Sequence, residues 1–229
     1  MEKSSWIVLF GIVLTAHLVG LQGKLDWLAY ISKPMIVLSA AGYFFSATAS
    51  VRSAMKTWIG LALLFSLGGD VLLLFQERNS LFFLLGLSSF LLAHVFYILF
   101  FHKARLAEGI QSRLWTLLIV AVFYTLLISF LNPWLGDMRL PVRVYGVVIS
   151  FMLMLAMHML FLPNREAGRY MLNGALLFVL SDSVLAINKF YQSFNTASLI
   201  IMLTYGFAQL LLVMGAASYI NSTSSSLRK

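Results

Sequence analysis

Two carboxylates lie inside long apolar runs: Asp70, in Gly68-Gly69-Asp70-Val71, and Asp182, in Leu180-Ser181-Asp182-Ser183. A charge deep in a bilayer costs several kcal/mol, so residues of this kind face an interior cavity and carry a task. Two carboxylates in one low-dielectric site resist ionising together, which supplies one protonated acid and one ionised base. That pair is what an acid-base hydrolysis requires, and it suits a proton relay or a transporter's ion site equally well. Other polar groups stand in similar places: Lys33 before Pro34, His94 with Tyr97 one turn on, His158, Lys189, and Tyr205 with Gln209 one turn on. Gly68 and Gly69 allow a backbone or a substrate to approach Asp70 closely.

The elements that must position these residues follow from composition. Of 229 residues, 61% are hydrophobic and 10% charged, with four prolines and no cysteine. This excludes a soluble enzyme, a disordered chain, a disulfide scaffold and a cysteine-based metal or redox site. The formal charge of +8 is scattered in short clusters between apolar runs. That is a membrane-topology pattern and not a nucleic-acid-binding stripe. Apolar runs at 5–22, 28–49, 58–75, 81–101, 114–131, 144–162, 171–188 and 197–220 are each close to the length that spans a bilayer. They predict an all-α bundle of eight transmembrane helices in one domain, residues 1–220, with a polar, disordered tail over 221–229. The first run is too long for a signal peptide and ends without a small-x-small site, so it reads as a retained helix. Trp6, Trp27, Trp58, Trp115 and Trp134 fall near predicted span ends, as an aromatic belt does. Ten basic residues at one set of ends against six at the other put both termini in the cytoplasm. The compact loops point to a bacterial cytoplasmic membrane.

Depth follows from the helical rise of about 1.5 Å per residue, which puts Asp70 about 18 Å and Asp182 about 17 Å from the cytoplasmic side. On spans 2 and 8, Lys33, Tyr205 and Gln209 fall about 8, 12 and 18 Å below the opposite face, so one pocket can collect them. His94 comes out about 20 Å down span 4, nearer the inner leaflet but within reach of a tilted helix. Gly60-Leu-Ala-Leu-Leu-Phe precedes Asp70 and Gly174-Ala-Leu-Leu-Phe precedes Asp182. A parallel duplication of four helices would place such an echo there, although strings of this kind also recur by chance in membrane proteins.

Plain structural roles compete with these assignments. Either aspartate can be a hydrogen-bond hub or the partner of Lys33 or Lys189, and Lys189 can simply snorkel outward. His17, His102 and His158 read as interfacial or structural. No two histidines have i, i+4 spacing and His158 lies at the wrong level for the carboxylates, so no metal site is expected. No Gly-x-Ser-x-Gly elbow is present, which argues against a serine nucleophile.

At these residues the sequence resembles the YhhN/TMEM86 family of eight-span membrane proteins, which includes lysoplasmalogenases. The resembling pieces are Lys33-Pro34, Gly69-Asp70, and Gly86-x-x-x-Phe90-x-x-x-His94-x-x-Tyr97. Gly174-Ala175-x-x-Phe178-x-x-Ser181-Asp182-Ser183-x-Leu185-Ala186 and Tyr205-x-x-x-Gln209 continue the series in order through spans 7 and 8, while the span 5–6 region adds nothing. The resemblance implies hydrolysis of the vinyl ether bond of lysoplasmalogens to a fatty aldehyde and a glycerophospho-base, without a cofactor. Asp70 and Asp182 are then expected to serve as acid and base, in either order. His94, Tyr97, Ser181, Tyr205 and Gln209 would orient water or substrate, and Lys33 or Lys189 would attract the phosphate. The expected partners are the lysophospholipid and the bilayer, with no nucleic acid and no obligate protein partner. The alternative is a membrane transporter or lipid-binding protein that uses the same acids for protons or head groups.

Overall fold

A computed structural model describes residues 2–226, all of them in helices and short connections. The helices are α1 (Lys3–Gln22), α2 (Asp26–Ala47), α3 (Ala54–Leu73), α4 (Ser80–Ala107), α5 (Leu114–Leu131), α6 (Arg139–His158), α7 (Arg165–Ala186) and α8 (Ala197–Ser226). Among the described residues, eight helical segments are long and apolar enough to cross a membrane. The termini-bearing end and the far end of the bundle are therefore joined eight times, and the chain is an integral multi-pass membrane protein.

Local sequence sets the boundaries. Ser53, Asn79 and Asn164 cap α3, α4 and α7 by accepting from backbone N–H groups of Met55, Leu81 and Ala167. Short 3₁₀ turns at Asn132–Trp134 and Gly136–Met138 link α5 to α6. Beyond Ala186, α7 continues as a single π turn, Ile187–Tyr191, a feature often found at functional sites. The tail expected from residue 221 instead extends α8 to Ser226. The hydroxyls of Ser222, Thr223 and Ser224 donate to carbonyls three or four residues back, which satisfies them inside a helix. Residues 227–229 of that tail lie outside the described residues.

Adjacent helices pair as hairpins, α1 with α2, α3 with α4 and α7 with α8, and α5 rests more loosely on α6. α4 packs on α6 and α2 on α8, which ties the hairpins together. Small residues permit the closest approaches. A methyl group at Gly174 would meet the α8 backbone at Leu212 N, 2.9 Å away, and one at Gly69 would come within 2.5 Å of the Phe90 ring. The interior is aromatic, with Phe44, Tyr97, Phe100, Phe101, Phe178 and Tyr219 fully buried. Leu, Ile and Val side chains such as Leu114, Leu118 and Leu126 cover the outside, as a lipid-facing surface requires. His17 departs from the interfacial expectation. It is buried and shares a 2.8 Å hydrogen bond with Ser32, which joins α1 to α2.

Candidate active site

The two aspartates stand at one level. Asp70 is sixteen residues into α3 and Asp182 seventeen into α7, about 24 and 26 Å from the termini-bearing end by helical rise. Both lie nearer the far end than the apolar runs alone indicate, because α3 and α7 each begin several residues earlier than those runs.

Around Asp70 the structure gathers four of the sequence-predicted residues. The Tyr205 hydroxyl donates to Asp70 Oδ2 at 2.7 Å, and Lys33 Nζ lies 4.0 Å from Oδ1. Gln209 Nε2 donates to the Tyr205 hydroxyl at 3.3 Å and Tyr97 donates to Gln209 Oε1 at 3.3 Å. The chain Tyr97–Gln209–Tyr205–Asp70–Lys33 thus runs through α4, α8, α3 and α2. Asp70 itself is sealed, with its side chain 2% exposed.

Asp182 has different neighbours. The Tyr145 hydroxyl, on α6, donates to Asp182 Oδ2 at 2.5 Å, and His94 Nε2 lies 3.5 Å from the same oxygen. Tyr145 and His94 also touch each other, hydroxyl to Nε2, at 2.9 Å. Tyr145 is thus within hydrogen-bond reach of both, while His94 and Asp182 face each other at ion-pair distance. His94 Nδ1 is buried and has no hydrogen-bond partner among the described residues. The Asp182 side chain is 17% exposed.

Aromatic rings divide the two sets. Phe178 packs edge-on against His94 at 4.6 Å between centroids on one side and against Tyr205 at 5.4 Å on the other. Phe90 completes the partition, 6.2 Å from Phe178 and 5.8 Å from Tyr205. Each carboxylate therefore has its own tyrosine, and Phe90 and Phe178 stand between the tyrosine of one set and the histidine of the other.

Space distinguishes the two acids. A narrow cleft between α3, α4, α6 and α7 is lined by Leu73, Phe83, Leu87, Phe90 and Phe190, and by Asp182 with Tyr145. A second narrow cleft opens between α5, α6 and α7 and is lined by Phe123, Leu127, Ile128, Gly146 and Val179. It reaches the same Asp182 and Tyr145. Both clefts share Val142 and Ala186, and Asp70 lines neither. Apart from the Asp182–Tyr145 floor, the two clefts are almost wholly apolar.

The remaining predicted residues fall outside this floor. Lys189 sits on the π turn at the far-end rim, 5.4 Å above the Phe83 ring and 3.4 Å from Glu77 Oε1. Ser181, next to Asp182, points to the other side of α7 and donates to the Ile201 carbonyl at 3.0 Å, where it fastens α7 to α8. His158 accepts from the backbone N–H of Arg113 at 3.2 Å and caps α5, as a structural histidine does. Tyr145 was not among the expected residues, since it is a single tyrosine in an otherwise ordinary apolar span. Among the described residues no three His, Asp or Glu side chains come together as a metal-binding set.

The YhhN family profile matches residues 28–216. The human lysoplasmalogenase TMEM86B is 33% identical over 195 residues, which cover 85% of this chain and 78% of that protein. The human lysoplasmalogenase TMEM86A is 34% identical over 172 residues, 72% of this chain and 66% of that protein. A lysoplasmalogenase of Mycobacterium tuberculosis is 31% identical over 184 residues, 79% and 67% of the two chains. No solved structure matches significantly. The profile spans every residue of the Asp70 and Asp182 sets, and with relatives of this identity and coverage the chain belongs to the YhhN family.

Proposed function

We propose that the protein is an intramembrane lysoplasmalogenase, which hydrolyses the vinyl ether bond of a lysoplasmalogen by acid-base catalysis at Asp182. The observation that carries this reading is one carboxylate, hydrogen-bonded to a tyrosine and 3.5 Å from a histidine, at the meeting point of two apolar clefts. The family relatives named lysoplasmalogenase support the choice of substrate.

A vinyl ether is cleaved through its electron-rich β-carbon. The cycle begins with the proton on Asp182, which passes to that carbon and leaves an oxocarbenium ion next to a newly ionised carboxylate. The carboxylate stabilises the cation in a medium of low dielectric, where a fixed charge acts strongly. Water then attacks the cationic carbon and gives its proton to His94 through the Tyr145 hydroxyl, the member of the set that both lines the clefts and touches the buried imidazole. The proton returns from His94 to Asp182 through the Tyr145 hydroxyl, which touches both. The hemiacetal so formed collapses by passing its hydroxyl proton to the departing glycerol oxygen. The products are a fatty aldehyde and a glycerophospho-base, and the site regains its starting protonation.

This reading moves the role of base from Asp70 to His94. Asp70 acts from behind the partition, where its bond to Tyr205 fixes the ring that backs Phe178 and hence His94. The cleft between α5 and α6 takes the alkenyl chain. The cleft under Phe83 and Phe190 takes the glycerol, so that the phosphate reaches Lys189 at its rim. Seven residues of helix separate Asp182 from Lys189, about 10 Å of rise, a distance that a glycerophosphate and two side chains can bridge.

The test is aldehyde release from detergent-purified protein supplied with lysoplasmenylethanolamine. Stoichiometric aldehyde and glycerophosphoethanolamine are expected. A protein that binds the lipid and releases no aldehyde would refute the assignment.

A further inference from the structure

Positions of the two halves repeat at an interval of about 112 residues. Lys33 precedes Asp70 by 37 residues, and Tyr145 precedes Asp182 by the same 37. His94 follows Asp70 by 24, and Tyr205 follows Asp182 by 23. The helices obey the same spacing: α1 and α5 begin 111 residues apart, α2 and α6 113, α3 and α7 111, α4 and α8 117.

Contacts carry the relation into space. Asp70 is held between Lys33 of α2 and Tyr205 of α8, and Asp182 between Tyr145 of α6 and His94 of α4. Under the interval, α2 corresponds to α6 and α8 to α4, so each acid takes one neighbour from its own half and one from the other. This exchange is the mark of a two-fold relation. Residues that touch their own counterparts must lie on the axis, and three such pairs occur. Glu77 meets Lys189 at the far end, Tyr97 meets Gln209 in the middle, and Glu108 meets Tyr219 at the termini-bearing end, with separations of 112, 112 and 111 residues. The axis therefore runs along the bundle, as in parallel membrane repeats.

The halves differ where access is decided. Val142 and Ala186 line both clefts at Asp182. Their counterparts are Tyr30 and Leu74, and the Tyr30 hydroxyl donates to the Leu74 carbonyl at 3.2 Å, closing the equivalent route with bulk and a hydrogen bond. Tyr30 is further braced edge-on by Phe75 at 6.3 Å. Gly146, which lines the second cleft, has Pro34 as its counterpart, and Lys33 stands in the place of Tyr145.

We propose that the chain carries two copies of one acid site, one in each half, and that Tyr30 and Leu74 seal the Asp70 copy while Val142 and Ala186 open the Asp182 copy to lipid. The size of the side chains at these two paired positions sets which acid a lipid can reach. This goes beyond the hydrolase reading, because access is independent of which bond is broken.

An apolar carbodiimide tests it on the full-length purified protein. Dicyclohexylcarbodiimide couples to protonated carboxyl groups within membranes, and peptide mass spectrometry locates the adduct. The wild type is expected to carry the adduct at Asp182 and at least tenfold less at Asp70. With Lys33→Met in both proteins, so that no cation holds Asp70 ionised, Tyr30→Val/Leu74→Ala should raise labelling of Asp70 at least tenfold, with undiminished labelling of Asp182 reporting an intact fold. The reverse pair, Val142→Tyr/Ala186→Leu, should cut Asp182 labelling at least tenfold, and aldehyde release with it. Equal labelling of both acids in the wild type would overturn the proposal. So would an Asp70 that stays unlabelled in the opened variant while Asp182 reacts, or undiminished Asp182 labelling in the closed one. The labelling arms read out even if no aldehyde is ever produced, so failure of the hydrolase reading and failure of this one are separable.

Discussion

Removing one oxygen atom, in Tyr145→Phe, probes the proposed proton circuit most cleanly. The ring and its packing against His94, 5.4 Å between centroids, are retained, so the core loses no volume. What disappears is the hydroxyl that donates to Asp182 at 2.5 Å and touches His94 at 2.9 Å. A hydrogen bond to a charged group contributes about 1.5–3 kcal/mol, and each 1.4 kcal/mol of barrier is about tenfold in rate. Asp182 still lines both clefts and can take the water's proton itself, so the circuit is weakened and not cut. The expected loss in kcat is therefore about ten- to a hundredfold, with KM changed by less than about threefold since the clefts keep their shape. Aldehyde release coupled to an NADH-dependent alcohol dehydrogenase measures both constants. A kcat equal to that of the wild type, or a loss confined to KM, would refute the assignment of this hydroxyl to the chemistry.

Other expectations follow from the same geometry. Asp70→Asn or Lys33→Met leaves one member of a buried ion pair uncompensated and should each cost about 3–5 kcal/mol of stability, whereas Asp70→Asn/Lys33→Met together should recover much of it. Thermal unfolding in detergent reads this, and an additive double variant would contradict the pairing. Hydrolysis run in D₂O should place one deuterium on the aldehyde carbon next to the carbonyl, seen by mass spectrometry of a trapped product. Absence of that label would contradict protonation at the β-carbon. Lys189→Ala should raise KM severalfold with little change in kcat, and the effect should shrink at high salt because Lys189 stands at a partly exposed rim. An unchanged KM would remove Lys189 from phosphate recognition.

Much of the architecture was legible from the chain because membranes make hydropathy nearly sufficient. Eight apolar runs became eight helices, and the equal depth of Asp70 and Asp182 followed from counting along two parallel spans. The gathering of Lys33, Tyr97, Tyr205 and Gln209 around Asp70 was legible for the same reason, since depth restricts which side chains can meet. Depth does not give rotation about a helix, and the errors arise there. Ser181 adjoins Asp182 in sequence yet faces α8, one position around the helix from the cleft. His94, about 20 Å down its span by helical rise, meets Asp182 as a tilted helix allows. Tyr145 carried no local signal. The only trace of it in the sequence is the 37-residue spacing to Asp182 that repeats the spacing of Lys33 to Asp70. The π turn that carries Lys189 has no composition of its own by which to be foreseen. The aromatic partition was likewise hidden among nineteen phenylalanines that all fit lipid-facing roles.

The claim that stands or falls first is that Asp182 is the group that gives its proton to the substrate. Single-turnover aldehyde release by Asp182→Asn, compared with the wild type at equal folded protein, tests it directly. The amide keeps the size of the carboxyl group and the Tyr145 contact but cannot deliver the proton, so a loss of about 10²-fold or more is expected with the melting temperature nearly unchanged. Turnover at the wild-type rate in that variant would contradict the mechanism.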